Sequence, residues 1–457
     1  MAYANLSTYD EVLKRFYLPA IREQLNHDTI LADILETNEE DVSGKEATIN
    51  MHYGRTTGTG ARADGGDLPD ANYQKHKTCT VPMKYNYGRV SFTGPTIAAT
   101  RDEKGSYAKA VDNEITGCVR DFMVENNRQM WGSGYGVLAR WRSTGSGTSY
   151  TVQKSYRSNS VGSDGFGSTF GAKYIKPDGN NAAVPVVITA SSSVMTVLTV
   201  DATDIAVSAV VDTVAAYDTV TVTDPGVTEA AGTFYVRPAS LVTCNASTAA
   251  GAQRLEMMGI RGIVTDEDLD EIVCFDGTNT GFTVNDPLQG LAVATYTWFK
   301  SHTDEHTAGT RYAGQRSLTF KMMDRMFDKV EESAGKDYGP DIILTTRALR
   351  REYKELCIAD RRYVNTMTLD GGWKALEFNG IPLTVDNDAI DGEIYFLTTK
   401  DIQVYRMSDY DWMQKDGAIL SRISGKDAYE AVLFRYAELG TSRRNSQGVI
   451  CDLDYDL

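Results

Sequence analysis

The sequence predicts an α+β chain, and three observations carry that class. Two alternating strands flank a glycine-rich loop of about 27 residues (54–80), a helix of some 30 residues follows at 100–131, and a β-rich acidic stretch fills 143–282. A final third of mixed strands and helices closes the chain.

Composition sets the outer bounds. The 457 residues are 42% hydrophobic and 24% charged with 40 glycines, which excludes wholesale disorder and a collagen-like fibre. At roughly 150 residues per domain the length allows two to four domains. Lys+Arg 46 against Asp+Glu 62 gives −16, and a surface of that sign repels phosphate, arguing against a reader or wrapper of nucleic acid. Between 181 and 282 three basic residues (Arg237, Arg254, Arg261) face thirteen acidic ones, so this stretch contributes −10 of the −16. The longest charge-free window, 179–200, is broken by Pro185 and by Ser and Thr, so it reads as strands and no membrane span is expected. The start, Met-Ala-Tyr-Ala-Asn-Leu, lacks the basic and apolar regions of a secretion signal. Six dispersed cysteines without a CxxC pair predict thiols in a reducing cytosol.

The elements follow in order. Tyr9, Val12, Leu13, Phe16 and Tyr17 keep a helical period after a Ser7–Asp10 capping box, Pro19 interrupts it, and Ile21 and Leu25 continue it. Ile49, Met51 and Tyr53 alternate in one strand; Val81, Met83, Tyr85 and Tyr87 alternate in the next. The loop between them holds Gly54, Gly58, Gly60, Gly65 and Gly66 with Arg55, Arg62, Lys75 and Lys77. A loop of that length is usually functional or disordered, and folded back it could reach about 40 Å. Thr100 and Glu103 form a second capping box before the long helix, whose face is marked by Tyr107, Val111, Ile115, Cys118, Phe122 and Met130. Gly132 can end it, and Asp112, Arg120, Glu125 and Arg128 are expected solvated or paired. Strands are expected near Val186, 194–200, 207–211 and 218–223. Leu318, Met322, Met326, Phe327 and Val330 line a helix stopped by Gly335; 341–345 is a buried strand; Leu349, Tyr353 and Leu356 mark another helix. Asn379-Gly380 signals a hairpin, 394–397 and 402–405 add strands, and Val432, Phe434 and Tyr436 alternate near the end.

Chemistry-bearing motifs are few. His302-Thr-Asp-Glu305-His306 matches H-x-x-E-H, in which two histidines on one helical face bind zinc and the Glu activates water, but its polar surroundings read as a loop. The acidic run from Thr265 to Glu271 lacks the glycine and terminal Glu of a calcium loop; a helix capped by Thr265 and Asp268 explains it better. No GxGxxG, P-loop or GxSxG occurs. The expectation is therefore no catalytic residue, no cofactor and no metal.

The order of parts resembles the major capsid proteins of tailed double-stranded-DNA phages, the Hong Kong ninety-seven fold. The resemblance rests on the loop 54–80, the helix 100–131 and the tail from Asp341 onward, including Gly371-Gly372-Trp373, Asn379-Gly-Ile-Pro-Leu-Thr-Val-Asp386, Ile394-Tyr-Phe-Leu397, Ala437-Glu-Leu439-Gly and Arg443-Arg-Asn-Ser-Gln-Gly448. It implies an N-terminal arm (1–47), an extended hairpin loop (48–93), a spine helix with peripheral domain (94–142), an acidic β-rich insertion (143–282), and an axial domain returning to the peripheral one (283–457). It further implies a non-enzymatic homo-oligomer: hexamers and pentamers tiling a shell around double-stranded DNA without sequence-specific binding. Portal, scaffold and decoration proteins would be partners, and the protein would be made in host cytoplasm and reside in the virion. Arg55, Arg62, Lys75 and Lys77 become candidate inter-subunit contacts with the carboxylates of a neighbour. The family's namesake joins a lysine to an asparagine; Lys75 and Lys77 lie in the matching loop, with no partner identifiable. Another virion or tail protein with a β-rich binding insert, and a zinc hydrolase through His302, Glu305 and His306, are the alternative readings.

Overall fold

A computed structural model describes residues 30–94, 104–134, 256–268, 287–306, 316–335, 339–359, 374–386, 388–390, 392–414 and 419–454, with strand segments between 139 and 238 and at 366–368. The expected N-terminal helix and the Thr100–Glu103 box lie outside the described residues.

In chain order, helix α1 (Ile30–Ile34) precedes β1 (Glu36–Asn38), β2 (Val42–Ser43), β3 (Glu46–Gly54), β4 (Lys75–Pro82) and β5 (Lys84–Thr93). The long helix α2 (Lys104–Trp131) follows, then β6 (Ala139–Ser143), β7 (Ser149–Gln153), β8 (Val186–Ile188), β9 (Val194–Val197), β10 (Val207–Val211), β11 (Tyr217–Val222) and β12 (Thr233–Pro238). These seven strands pair into one sheet of order β10-β11-β7-β6-β12-β9-β8, so the β-rich character read from Val and Thr content is realised in a sheet of its own.

After the short helix α3 (Ile260–Ile263) come β13 (His302–Asp304), α4 (Phe320–Ala334), β14 (Ile342–Thr345), α5 (Arg347–Ala359), β15 (Thr366–Thr368), β16 (Lys374–Phe378), β17 (Ile381–Val385) and β18 (Ile394–Leu397). The chain closes with β19 (Ile402–Trp412), β20 (Ser421–Arg422), β21 (Ala428–Thr441) and β22 (Gly448–Ile450). A mixed sheet has the order β13-β22-β18-β14-β17-β16-β15. Strand alternation divides its core: Ile343, Leu383, Phe396 and Ile450 pack with Met323, Met326 and Val330 of α4 and with Leu349, Tyr353 and Cys357 of α5. Ile342, Leu344, Tyr395, Leu397 and Val449 face the opposite way, into the largest core. Asn379 and Gly380 take positive φ (49° and 83°) in the two-residue turn joining β16 to β17, as Asn-Gly predicts. Thr319 caps α4 by accepting from the Met322 amide, and Gly335 ends it at φ 88°.

The second sheet joins β1, β19, β21 and β20, with β5 along β21. The long helix lies across it: Ile115, Val119, Phe122 and Met123 pack with Trp412, Ile419, Ala431 and Leu433. Gly88 leaves room for that helix, since a Cβ there would sit 3.2 Å from the Phe122 ring. In β21 the expected alternation is present, but its buried side is Ala431, Leu433, Arg435 and Ala437; Val432, Phe434 and Tyr436 form the half-buried side. Period alone does not say which face a helix covers, and here the helix takes the side of Ala431 and Leu433.

Two further expectations change. The stretch 81–87, read as one strand, is divided at Met83, whose amide donates to the Lys45 carbonyl at 3.0 Å: β4 pairs with β3 as far as Pro82, and β5 turns to β21. Residues 256–268, expected within the 143–282 unit, pack in the largest core, where Met257, Met258, Ile260 and Ile263 join Met130 and Trp131. Ser133 and Met258 form a β-bridge, and the Glu256 amide donates to the Gly134 carbonyl at 3.2 Å. Gly259 is pressed against the end of α2; a Cβ there would lie 2.4 Å from the Gly132 nitrogen and 2.5 Å from the Gln129 carbonyl oxygen. Arg128, expected solvated or paired, is paired: fully buried, it bridges Glu125 and Glu256. Their two carboxylates outweigh the cost of desolvating the guanidinium and hold it charged.

Candidate assembly interface

The β3–β4 hairpin is the part of the chain shaped to project. Its base is held from inside: Ala47 and Val81 pack with Met83 and Tyr405, and Met51 and Cys79 enter the largest core. Ile49 pairs with Cys79 and Met51 with Lys77 across the ladder, and the outer positions Thr48, Asn50 and His52 are exposed. At the outer end an aromatic group clasps it. Tyr53 stacks on Trp298, the Lys77 ammonium lies 5.1 Å from the Tyr296 ring centroid, and Trp298 meets Tyr296 and Phe299 edge-on. A hydrogen bond with Tyr296 raises the Lys77 ammonium above its ordinary range.

Beyond Gly54 the loop folds back on itself. The Thr56 hydroxyl donates to the Asn72 carbonyl at 2.9 Å, the Asn72 amide donates to the Thr57 hydroxyl at 2.8 Å, and His52 meets Gln74 at 2.8 Å. At the tip the Gly66 amide donates to the Ala63 carbonyl at 2.9 Å around Gly65, whose φ of 77° requires glycine. Arg62 braces this turn, donating to the Asp67 carbonyl at 2.9 Å and the Ala61 carbonyl at 3.1 Å. The loop is therefore an ordered ribbon whose side chains face water: Leu68 is 85% exposed and Tyr73 75%. Singly exposed apolar groups are ordinary on protein surfaces; what sets these two apart is that they ride on one exposed ribbon with the acidic tip.

The four predicted contact residues separate. Arg55 is exposed and makes no ion pair among the described residues. Lys75 is exposed too, its alkyl chain lying against Gly54. Arg62 is engaged within the loop, and Lys77 with Tyr296. Lys75 and Lys77 also stand on β4, a correction to the loop 54–80: the ladder runs to Gly54–Lys75, leaving 55–74 as loop. Sequence reasoning missed the clasp, whose partners lie more than two hundred residues apart. It also passed over the exposed Asp64, Asp67 and Asp70 of the tip, which charge counting within the loop would have found.

His302, Glu305 and His306 do not form a zinc site. His302 opens β13, parallel to β22, so the motif is neither the loop expected nor the helix a shared ion needs. Residues four apart in extended chain are separated by up to about 13 Å, whereas zinc holds each imidazole at about 2.0–2.1 Å. Burial, and then Lys329, lower the His302 imidazole below its ordinary range. Among the described residues no group of three or more His, Cys, Asp or Glu is placed to hold a metal ion, and no helix is long and apolar enough to cross a membrane. Burial opposes ionisation of Asp304, but ion pairs with Arg325 and Arg316 overcome it and keep the carboxylate below its usual range. Thr265 accepts from the Glu267 amide at 3.3 Å and Asp268 from the Val293 amide at 2.9 Å. The acidic run thus begins as a turn, after α3, in place of the expected capped helix.

No family model and no curated protein sequence matches the chain. Solved structures do. The capsid asymmetric unit of cyanophage A-1(L) is similar over 93% of this chain and 93% of its own, with a TM-score of 0.50 at 12% identity. The capsid of Myoviridae phage XM1 covers 93% and 91% (TM-score 0.42, 6% identity), and that of a native GTA particle 93% and 90% (TM-score 0.43, 8% identity). The cyanophage likeness extends over nearly the whole of both chains, and this chain has the tailed-phage capsid fold.

Proposed function

We propose that this protein is the major capsid protein of a tailed double-stranded-DNA phage, self-assembling through hexamers and pentamers into the icosahedral or prolate shell around the genome. The observation that carries this is the capsid fold, shared with the cyanophage A-1(L) capsid over 93% of each chain. The hairpin supports it physically: an ordered ribbon with Leu68 and Tyr73 in water finds its apolar partner on another copy. Arg55 and Lys75, exposed at the loop's base, contact carboxylates of that neighbour; Arg62 shapes the tip and Lys77 sets the angle at which the hairpin leaves the body. The −16 charge suits a wall that encloses DNA without holding its sequence. The role is structural, without a catalytic step. Portal, scaffold and decoration proteins are its further partners, the host cytoplasm its place of synthesis, and the virion its final location.

Negative-stain microscopy of the purified chain tests this reading. Closed shells, hexamers or pentamers are expected; isolated trimeric fibres would overturn it. Deleting 58–70 should leave a folded chain that no longer forms shells, because Thr56, Thr57 and Asn72 still close the ribbon.

A further inference from the structure

The loop tip and helix α5 are complementary surfaces on one chain. On α5, Arg347, Arg351, Lys354 and Ile358 follow one another at spacings of four, three and four, which puts them on a single helical stripe, and all four are exposed. The other side of the helix is the buried Leu349, Tyr353 and Cys357, which fix the stripe outward. The stripe is about 16 Å long at 1.5 Å per residue. Three cations end on an isoleucine 62% exposed. Glu355 stands beside them, and Arg350 and Glu352 are half-buried on the flank. Within a chain of net −16 this is a concentrated cationic surface.

The tip offers the inverse. Asp64, Asp67 and Asp70 are exposed, and Leu68 lies among them. The residues 64–70 span at most about 20 Å, commensurate with the stripe. No ion pair or side-chain hydrogen bond of these three carboxylates occurs among the described residues; Asp67 is engaged only through its main-chain carbonyl, by Arg62.

We propose that the loop tip of one copy docks on the α5 stripe of a second copy, Asp64, Asp67 and Asp70 meeting Arg347, Arg351 and Lys354 while Leu68 covers Ile358. This contact rests on the shell reading and gives it a named lateral joint. Tip and stripe are different surfaces, so the contact is head-to-tail and propagates from copy to copy, closing a ring where the rotation permits. Opposed charges at the two surfaces favour one register over shifted ones.

Two cysteine variants test it. Chains carrying Leu68→Cys and chains carrying Ile358→Cys are mixed, assembled and mildly oxidised. Disulfide-linked dimers are expected from the mixture and not from either variant assembled with unmodified chain. Assembled shells without such dimers, or dimers from Leu68→Cys chains alone, would overturn the docking while leaving the shell reading intact. Absence of any particle from unmodified chain would remove the shell reading itself, and the contact with it. As a second arm, Arg347→Glu with Arg351→Glu and Lys354→Glu should cut particle yield at least about tenfold, because like charges would then be opposed. Adding Asp64→Lys, Asp67→Lys and Asp70→Lys to the same chain should restore it. Full yield from the first triple variant, or no recovery in the sixfold variant, would overturn the pairing.

Discussion

The phenol ring of Tyr53 lies flat on the indole of Trp298, centroids 4.9 Å apart and planes 6° from parallel. Tyr53 is the last side chain before the loop, and Trp298 belongs to the 287–306 segment beneath it. The hairpin thus leaves the body at a set angle, and a projecting part can be ordered without being enclosed.

That stack should be measurable as a coupling. Tyr53→Ala and Trp298→Ala, singly and together, should show an interaction of about 0.5–1.5 kcal/mol in a double-mutant cycle of chemical unfolding. Each single variant should also speed amide hydrogen exchange across 46–54 and 75–82.

Arg128 is fully buried, and Glu256 beside it is nearly so. Arg128→Ala leaves the Glu256 carboxylate in the core without its cation, and unfolding should cost about 3–5 kcal/mol less. Arg128→Met combined with Glu256→Leu removes both charges and should recover most of the loss. Equilibrium denaturation distinguishes the two variants.

Asp386 predicts a pH dependence. Burial, then the neighbouring Asp388, push its carboxyl up to about 6 from 3.8, although the Asp388 and Leu31 amides and Asn127 donate to it. The folded chain therefore holds this proton to higher pH than the unfolded chain does. The stability it contributes is complete below pH ~4 and is lost as pH rises towards 6, by roughly 3 kcal/mol. Asp386→Asn should flatten the fall in unfolding free energy between pH 4 and 6; an unchanged slope would assign the titration elsewhere.

Gly259 has no room for a methyl group, because the atoms a Cβ would meet are main chain of Gly132 and Gln129. Gly259→Ala should destabilise by about 1–3 kcal/mol, the usual cost of overpacking, by displacing the C-terminal turn of α2. Gly117, with open space around its Cβ position, is the control, and Gly117→Ala should stabilise its helix by roughly 1 kcal/mol.

Elements that repeat a local rule were legible in the chain itself. Met326 and Val330 keep the period of α4, Gly335 ends it, and Asn379-Gly380 sets its turn. What stayed hidden depends on partners distant in sequence. Which side of β21 is buried is decided by Phe122 and Met123 of a helix some three hundred residues earlier. That Arg128 is paired rather than solvated, and buried, depends on Glu256, 128 residues later in the chain. At the candidate interface, the glycine spacing and the four cations announced a loop with a purpose. The clasp of Tyr53 and Trp298, and the division of the cations between bracing and exposed roles, follow only from folding.

The bridge between Ser133 and Met258, with the Glu256 amide on the Gly134 carbonyl, makes a doorway of two adjacent chain segments. Everything between 134 and 256 leaves and returns through it. The described strands between 139 and 238 pair only with one another, so a change of length in this excursion rethreads no strand of the other sheets. Closing a loop of twice the length costs only about 0.6 kcal/mol more. A module grafted at this doorway would be carried once per chain.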